Sequence, residues 1–520
     1  MKLTIFILLT LSVSSFSSEK QRPNILLILA DDLGFSDIGC YGSEIPTPNL
    51  DRLAGQGMRF SQFYNTAKCH SSRVSLLTGR WCRQAGDESM RRAVTLPEIL
   101  NPSGYFTAMC GKWHLDKEPT DFGFQRFFGH LSGATNYFKG DNTFRLNGKP
   151  WDVPESDFYT TVANVDHALD FLGEAREAKK PWFLYLAFNA PHAPLQPMKE
   201  DYERYLGRYD AGWDVIRAAR VEKQRKLGLF QSDVEPSPRP DHIPTWGDLT
   251  DERKSWESRR MSALAGMIDR LDREIGRLLK EIESKGELDN TMVMFFSDNG
   301  ACPYDRQNVN MSGQPYEPNV NWTDSTGWAW ARNTPFRFYK QNQFEGGISS
   351  PAIVSWPAGL KTKHGSTDHT PTHLVDILPT LAELAGAEIP VSCPGREPTP
   401  LAGISLAPVF AGGEITDRPP IHLLHARDRG LRDGDWKIVS FQQQPWELYH
   451  ILEDRTELHD LAADQAERVD RMSKQWHEMA ANVLMAPRKE CEPVDTKAKP
   501  KRHPEWTNFN GPLTQKTGKR

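Results

Sequence analysis

The sequence is short of net charge, of long apolar runs and of repeats. Its 520 residues carry a formal net charge of -5, which argues against nucleic acid or a membrane surface as the main partner. Beyond the N-terminus no run of residues is apolar enough to span a bilayer, so we predict no membrane span. We find no internal repeat, which argues against a solenoid. With 38% hydrophobic and 25% charged residues, the composition is typical of a soluble globular protein.

The longest apolar run stands at the N-terminus. Lys2 precedes a mostly apolar stretch over residues 3–13, and small residues follow at Ser15 and Ser17 in the spacing that signal peptidase reads. We therefore predict a signal peptide over residues 1–17, cleaved near Ser17, and a mature chain that is exported to the periplasm or secreted. No cysteine stands at the cleavage site, which argues against a lipoprotein anchor.

Cysteine is also scarce, at seven residues in the chain. An odd number of cysteines in an exported protein predicts that one thiol is free or chemically modified. The sequence does not determine how the others pair, and some of them can stay reduced. The seven are Cys40, Cys69, Cys82, Cys110, Cys302, Cys393 and Cys491.

The length predicts a large domain joined to a smaller one, because 520 residues exceed what one simple core contains. We assign residues 22–418 to the large domain and residues 419–490 to a small α+β subdomain. The basic tail, residues 497–520, is poor in large apolar residues and is predicted to be disordered. The elements expected in the subdomain are strands at 421–425, 436–441 and 446–449 and a helix at 465–484.

Three continuous apolar runs, at residues 25–30, 182–188 and 291–296, are typical of buried parallel strands. Each ends in polar or ionisable residues, and in open α/β sheets ligands bind beyond the carboxyl ends of the strands. The sequence therefore predicts an α/β fold, with a large, mostly parallel sheet flanked by helices, and one shared site at the three strand ends. Helices are expected at 96–100, 256–285 and 374–384, and a long surface insertion at 210–255.

The most specific signal begins at Cys69, which is followed by Arg73 and then by Thr78-Gly79. A lone cysteine is more often a buried, inert residue. This spacing, however, resembles the signature C-x-(P/A/S)-S-R-x-x-x-L-T-G of type I sulfatases, which belong to the alkaline-phosphatase-like superfamily. The resemblance implies an arylsulfatase-like sulfuric ester hydrolase. In that family a formylglycine-generating enzyme or an anaerobic maturase converts the cysteine to formylglycine, the nucleophile.

Further segments resemble the same family in the same order along the chain. Lys112 and His114 belong to a G-K-W-H-L motif, and His192 to a P-H-x-P motif. A segment similar to N-x-P-L-R-G-x-K ends at Lys340, with Phe338 at the position where the family usually has glycine. The resemblance implies that Lys112 and Lys340, with the signature arginine, hold sulfate oxygens by their charge. His192, with Lys340, is then expected to protonate the leaving alcohol, and His114 to assist the release of sulfate.

Asp31-Asp32 and Asp298-Asn299, after the first and third apolar runs, supply four oxygen-bearing side chains. Either pair alone is common in turns and helix caps. Together they resemble the calcium site of the sulfatase family, which implies that one Ca²⁺ per chain is bound by these four residues and the modified Cys69. Oxygen ligands suit a hard divalent cation. Asp298 is also expected to accept the proton of the attacking hydroxyl.

The expected substrate is a sulfate monoester on a small molecule or glycan. A carbohydrate sulfate is expected as the natural substrate, in the degradation of sulfated polysaccharides, with aryl sulfates as artificial ones. Two alternatives stay open: a phosphate mono- or diesterase of the same superfamily, and a sulfatase-like binding protein in which Cys69 is never converted. Ser132, downstream of the G-K-W-H-L motif, is a candidate for the hydroxyl that some sulfatases place in the sulfate pocket. Residues that either line the pocket or serve only in packing or at the surface are Arg306, Trp322, Trp328, Trp330 and His425.

Overall fold

The computed structural model describes residues 22–231, 233–306, 310, 312–484, 503 and 505–511. The predicted signal peptide, Cys491 and most of the predicted tail lie outside these residues. Among the residues described, no helix is both long enough and apolar enough to cross a bilayer.

An 11-stranded sheet forms the centre of the large domain. Its strands follow the order β10-β2-β9-β8-β1-β7-β3-β4-β5-β6, and β11 also pairs with β2. The central strands β8, β1, β7, β3 and β4 run parallel, and this confirms the predicted α/β fold class. The strands are β1 (Asn24–Ala30), β2 (Met58–Tyr64), β3 (Phe106–Lys112), β4 (Arg126–His130), β5 (Phe144–Leu146), β6 (Lys149–Pro150), β7 (Trp182–Ala187), β8 (Thr291–Ser297), β9 (Ser349–Ser355), β10 (Ser366–Asp368) and β11 (Thr372–His373).

Helices cover both faces of the sheet, which is why the central strands are apolar throughout. Along β1, Leu26 and Ile28 join one hydrophobic core, while Ile25, Leu27 and Leu29 join the core on the other face. The helices are α1 (Pro48–Gln56), α2 (Cys69–Thr78), α3 (Cys82–Ala85), α4 (Leu96–Leu100), α5 (Thr160–Glu177), α6 (Lys199–Glu203), α7 (Gly212–Lys226), α8 (Asp251–Ser284), α9 (Thr326–Arg332), α10 (Glu345–Ile348), α11 (Ile377–Ala385), α12 (Ala407–Phe410) and α13 (Ala466–Leu484).

The predicted helix at residues 256–285 begins five residues earlier, at Asp251. The Thr250 side chain accepts a hydrogen bond from the Arg253 backbone N–H and caps the helix there. The predicted start followed the first apolar residue of the periodic pattern, whereas the cap lies one turn before it.

The C-terminal subdomain contains a four-stranded antiparallel sheet, β12 (Ile421–His425), β13 (Asp428–Asp433), β14 (Trp436–Ser440) and β15 (Glu447–His450). Helix α13 packs against this sheet through Trp476, whose indole donates to the Leu423 carbonyl. The sequence predicted the other strands and missed β13. That strand is rich in charge, yet its Arg429 is fully buried beside the Trp446 ring, 4.4 Å away.

The prediction of a surface insertion at residues 210–255 is wrong for its first part. Helix α7 lies there and buries two of its arginines, Arg217 and Arg220. Arg217 donates to the Pro335 carbonyl at 2.6 Å, and Arg220 binds Asp37 at 2.9 Å. Charged residues looked solvent-exposed in the sequence because their buried partners are distant along the chain.

The predicted tail also differs where the structure describes it. Trp506 forms a β-bridge with Tyr304 and stacks on His242 at 4.3 Å between ring centroids. Thr507 is buried and exchanges two hydrogen bonds with Thr326, at 2.8 and 3.0 Å. Two aromatic anchors, Trp506 and Phe509, which lies 5.3 Å from the Trp213 ring, and backbone pairing therefore hold residues 505–511 on the large domain, although the tail is basic overall.

Candidate active site

The carboxylates meet at the carboxyl ends of two adjacent strands. Asp31 and Asp32 follow β1, and Asp298 and Asn299 follow β8, which pairs with β1 in parallel. All four side chains are fully buried. Asp298 accepts a hydrogen bond from the Asp32 backbone N–H at 3.3 Å, and the Asn299 amide donates to Asp32 at 2.6 Å. The pairing of the strands thus brings the four predicted ligands together.

Three oxygens in this group have no hydrogen-bond donor among the described residues: Asp31 Oδ1, Asp32 Oδ2 and Asn299 Oδ1. Leaving buried acceptors unpaired is costly. Burial, followed by the neighbouring Asp31 carboxylate, raises the pKa of Asp298 to about 7. Unpaired oxygens and carboxylates that oppose one another's ionisation both fit a bound cation, and the donors are those of a hard divalent ion.

Three permanent cations surround the carboxylates. Lys112 Nζ contacts Asp31 and Lys340 Nζ contacts Asp32. Arg73 donates to Asp298 at 3.1 Å and to the Lys112 carbonyl at 2.6 Å. Although burial opposes it, Asp32 raises the pKa of Lys340 well above its usual range. Three carboxylates therefore face three cations, and a divalent ion would leave the site positive and ready for an anion.

Cys69 is the first residue of α2, so the helix positions it at this cluster. Its side chain is 1% exposed. One turn on, the Ser72 hydroxyl donates to the Asp298 carbonyl at 2.6 Å, and Arg73 lies on the same side of the helix. Gly79 ends the helix with a φ of 65°, which favours glycine, and this explains the last residue of the signature.

His192 faces the same carboxylates from the end of β7. Its Nδ1 donates to the Ala193 carbonyl at 2.6 Å, and its Nε2 lies 3.5 Å from Asp32 Oδ2. Burial lowers the pKa of His192 to about 4, against the opposite effect of Asp32 and Asp31. One ligand atom each of Asp31, Asp32 and His192 lie within 4.8 Å of one another. The neutral ring therefore presents the lone pair of Nε2 to the cluster.

His114 follows β3 two residues after Lys112. Burial, followed by the charges of Lys112 and Arg73, lowers its pKa. Its Nδ1 has no hydrogen bond among the described residues, and its ring lies 5.9 Å from the His70 ring. His114 is thus a neutral imidazole beside the cations, with one unbonded ring nitrogen among the described residues.

The loop that carries Lys340 is held from both sides. Phe338 has a φ of 63°, which explains why the family usually has glycine there, and its ring stacks on Phe344 at 4.6 Å. The Gly346 N–H donates to the Arg337 carbonyl, and the Gly300 N–H, next to Asn299, donates to the Gly347 carbonyl, both at 3.0 Å. Helix α10 therefore links the Lys340 loop to the ligand loop after β8.

The predicted lining residues divide into two groups. Trp322, Trp328 and Trp330 pack in the core, while Arg306 and His425 are half-buried. The Ser132 hydroxyl donates to Asp141 at 2.7 Å in the loop that packs on His114.

Sequence reasoning missed Lys68 and Arg332. Arg332 donates to the Asp32 carbonyl at 2.6 Å and pairs with Asp324 at 3.1 Å. Asp324 also belongs, with Asp32 and Cys302, to a second group of potential metal ligands. No motif marked Arg332, whereas Lys68 adjoins the signature and could have been found as a cation there.

The six cysteines that the structure describes form no disulfide bond with one another. Cys40, Cys69, Cys110 and Cys302 are buried, and Cys82 and Cys393 are half-buried. Every thiol of the described residues is therefore free, and Cys69 is distinguished by its position at the start of α2, the helix whose Ser72 and Arg73 contact Asp298.

Comparison with known proteins agrees with this geometry. The profile of the family "Sulfatase" matches residues 23–387, and "N-sulphoglucosamine sulphohydrolase, C-terminal" matches residues 336–482. An uncharacterised sulfatase of Schizosaccharomyces pombe is 33% identical over 90% of this chain and 96% of its own length. The N-acetylgalactosamine-6-sulfatase of Canis lupus familiaris is 29% identical over 79% of this chain and 71% of its own. The crystal structure of Ps i-CgsB in complex with k-i-k-neocarrahexaose superposes with a TM-score of 0.66 at 27% identity, covering 88% of this chain and 93% of that one.

Proposed function

The chain belongs to the sulfatase family, and from that premise we propose that it hydrolyses a carbohydrate sulfate with a formylglycine made from Cys69 and one calcium ion. The calcium ligands are Asp31, Asp32, Asp298 and Asn299, with the converted Cys69. The observation that carries the proposal is the set of buried, unbonded oxygens on three of these residues, at the start of the helix that carries Cys69.

The sulfate group is bound by charge. Arg73, Lys112 and Lys340 are buried around the carboxylates and hold its oxygens, so that negative charge developing in the transition state meets preorganised cations. When bound, calcium polarises a sulfate oxygen and orients the nucleophile. The converted Cys69 supplies the attacking hydroxyl, and Asp298 accepts its proton.

The two histidines serve the two halves of the reaction. Since Nδ1 of His192 is held by a carbonyl and Nε2 faces the cluster, His192 passes a proton to the departing alcohol, with Lys340, once Nε2 has itself been protonated. We assign His114 as the base for sulfate release, since its Nδ1 has no hydrogen bond among the described residues and the ring is neutral at ordinary pH.

The names of the relatives support a sugar as the substrate. An N-acetylgalactosamine-6-sulfatase is among them, and the structure that superposes at 27% identity was solved in complex with k-i-k-neocarrahexaose. A chain that carries a leader over residues 1–17 meets such glycans outside the cytoplasm, after a formylglycine-generating enzyme or an anaerobic maturase has acted on it.

The test uses enzyme purified from a host that contains a maturase. We expect free sulfate from members of a sulfated-sugar panel, and a tryptic peptide around Cys69 in which the thiol is replaced by an aldehyde. Cys69→Ala should abolish turnover on sugar and aryl sulfates, whereas Cys82→Ala, at a half-buried thiol at the start of α3, should not. Cys69→Ser should attack once and retain sulfate on the serine, because serine has no second hydroxyl to expel it.

Turnover in the Cys69→Ala variant would contradict the formylglycine mechanism. An unmodified thiol in active enzyme would do the same. An unmodified thiol without turnover favours the binding protein, and two bound zinc ions that are needed for phosphate ester hydrolysis favour the phosphatase.

A further inference from the structure

Lys340 differs from the other two cations of the site in the backbone that carries it. Arg73 lies on helix α2 and Lys112 on strand β3, whereas Lys340 lies in the loop between α9 and α10. A lysine side chain is long and flexible, so the position of its ammonium depends on how firmly this loop is held. The Lys340 N–H donates to the Ala301 carbonyl at 3.2 Å. The loop therefore rests on the segment that follows β8.

The C-terminal segment, residues 505–511, pairs with that same segment after β8. The Asp305 N–H donates to the Glu505 carbonyl at 2.7 Å, and Trp506 forms an antiparallel bridge with Tyr304. These residues follow Ala301 closely in the sequence. The C-terminal segment thus supports the stretch of backbone to which Lys340 is hydrogen-bonded.

Trp506 also contacts the Lys340 loop directly. Its ring lies 5.8 Å from the Tyr339 ring at an interplanar angle of 85°, and Tyr339 is fully buried next to Lys340 in the sequence. His242 completes the cluster, because it stacks on Trp506 at 4.3 Å and its Nε2 shares a hydrogen bond with the Tyr339 hydroxyl at 3.2 Å. Aromatic rings in edge-to-face and stacked contact favour one relative position. The residue before Lys340 is therefore fixed by two rings.

The other anchors of the C-terminal segment have different partners. Phe509 packs on Trp213 of α7 at 5.3 Å, and Thr507 is hydrogen-bonded to Thr326 at the start of α9. These contacts fasten the segment to helices, whereas Trp506 contacts the residue that precedes Lys340. The segment also lies beyond residue 482, so the contact belongs to neither of the regions that the two family profiles match.

We propose that Trp506 is a positioning residue, which holds Lys340 in place for the sulfate group through Tyr339. The proposal rests on the proposed function, since Lys340 meets a sulfate only there. A residue near the end of the chain thereby helps to set the rate at the carboxyl ends of the central strands.

The kinetic test uses the full-length, converted enzyme and nitrophenyl sulfate, whose good leaving group keeps slow variants measurable. Trp506→Ala should lower kcat/KM roughly tenfold to a hundredfold, because a displacement of about 1 Å at a catalytic group has effects of this order. Trp506→Phe keeps a ring against Tyr339 and His242 and should restore most of the activity. In a Lys340→Met background, Trp506→Ala should cost less than about twofold, since the side chain that it positions is already absent.

Phe509→Ala is the matched control, because it removes an aromatic anchor of the same segment that packs on α7. It should change kcat/KM by less than about twofold, as a site that is independent of Lys340 does. His242→Leu leaves the C-terminal segment intact and removes the ring between Trp506 and the Tyr339 hydroxyl. It should lower kcat/KM in the same direction as Trp506→Ala, and it tests the proposal even if Trp506→Ala does not fold.

Hydrogen–deuterium exchange gives a readout that does not depend on turnover. The Lys340 N–H is hydrogen-bonded to Ala301, so a looser loop should exchange this amide faster. Exchange in the peptide that contains Lys340 should be faster in Trp506→Ala and in His242→Leu than in the wild type, and unchanged in Phe509→Ala.

Three results would overturn the proposal. The first is a loss of activity on Trp506→Ala that is equally large in the wild-type and Lys340→Met backgrounds, which would mean that Trp506 acts on the fold as a whole. The second is an equal loss in Phe509→Ala, and the third is unchanged exchange at Lys340 in both Trp506→Ala and His242→Leu. If the wild type hydrolyses no sulfate ester, the proposed function is wrong, and exchange alone then decides whether Trp506 holds Lys340.

Discussion

Replacing Lys437 by methionine should destabilise the junction between the two parts of the chain. Lys437 lies on β14 of the subdomain and is fully buried, with its ammonium 2.9 Å from Glu345 and 2.7 Å from Glu457. Arg455 also contacts Glu345, so two buried cations balance two buried carboxylates. Methionine keeps the apolar stem and removes one charge. One carboxylate is then left without compensation.

The expected cost follows from that imbalance. Breaking a buried ion pair by removing one partner typically costs about 3–5 kcal/mol. Glu457 is the carboxylate that should respond, because burial already raises its pKa in the intact protein. Protonation removes its charge, so the cost should shrink as the pH falls. Exposed pairs contribute much less, and Lys285→Met, which breaks the pair with Glu281 at 3.5 Å, should cost about 0.3–0.5 kcal/mol.

Urea unfolding followed by tryptophan fluorescence measures both variants, with separate transitions fitted if the two parts unfold independently. Activity should fall as well, because Glu345 begins α10, which holds the Lys340 loop. Adding Glu457→Gln to Lys437→Met should recover part of the loss. A loss in Lys437→Met no larger than that in Lys285→Met would refute the reasoning, as would a loss that the second substitution leaves unchanged.

The remaining predictions concern metal, protons and acid. Purified enzyme should contain calcium near one equivalent, about what a single oxygen-lined site holds. A chelator should lower the melting temperature of the wild type but not that of Asp32→Asn. An Asp32→Asn variant whose melting temperature still falls with the chelator as in the wild type would contradict the ligand assignment. His192→Ala should lose far more activity on a sugar sulfate than on nitrophenyl sulfate, because a good leaving group needs no proton. His114→Ala should lose similar activity on both substrates. Equal losses on the two substrates in the His192 variant would disprove the division of roles. Burial lowers the pKa of His373 to about 3. Between pH ~6.5 and pH ~3 the unfolded chain therefore binds a proton at this histidine and the native chain does not, so the free energy of unfolding should decrease as the pH falls. His373→Asn should reduce the slope of the free energy of unfolding against pH by up to about 1.4 kcal/mol per pH unit, measured by urea unfolding. An unchanged slope would contradict this role of His373.

The elements that the sequence predicted correctly are those whose burial can be recognised from the hydrophobic pattern of consecutive residues. The runs at 25–30, 182–188 and 291–296 are apolar on both sides of the strand, and this pattern has few other meanings. The parallel pairing of β1 with β8 follows from the fold class, and it brings Asp31 and Asp298 together. Short-range information was therefore sufficient for the centre of the sheet and for the residues at its end.

The hydrophobic pattern of consecutive residues could not predict buried charged side chains or contacts between segments that are distant along the chain. Arg217 and Arg220 looked like the solvated face of a loop, because carbonyls and carboxylates far along the chain neutralise them. Trp506 and Phe509 are isolated aromatic residues in a basic tail, and the Trp506 partners Tyr304 and His242 lie some distance away in sequence. Hydropathy treats each residue by itself, so it cannot show that a charge has a buried partner or that one ring has a docking place.

If Cys69 is converted to formylglycine as proposed, its burial determines whether conversion has to come before folding. An oxidising enzyme cannot reach a thiol that is 1% exposed at the base of a packed helix, so conversion has to come before α2 settles on the sheet. Folding and conversion then compete in time. Chains that fold before conversion would then lack the proposed nucleophile. The specific activity of a preparation thus depends on the fraction of chains that are converted before they fold. Slower folding or more maturase should raise the specific activity without any change in the folded enzyme.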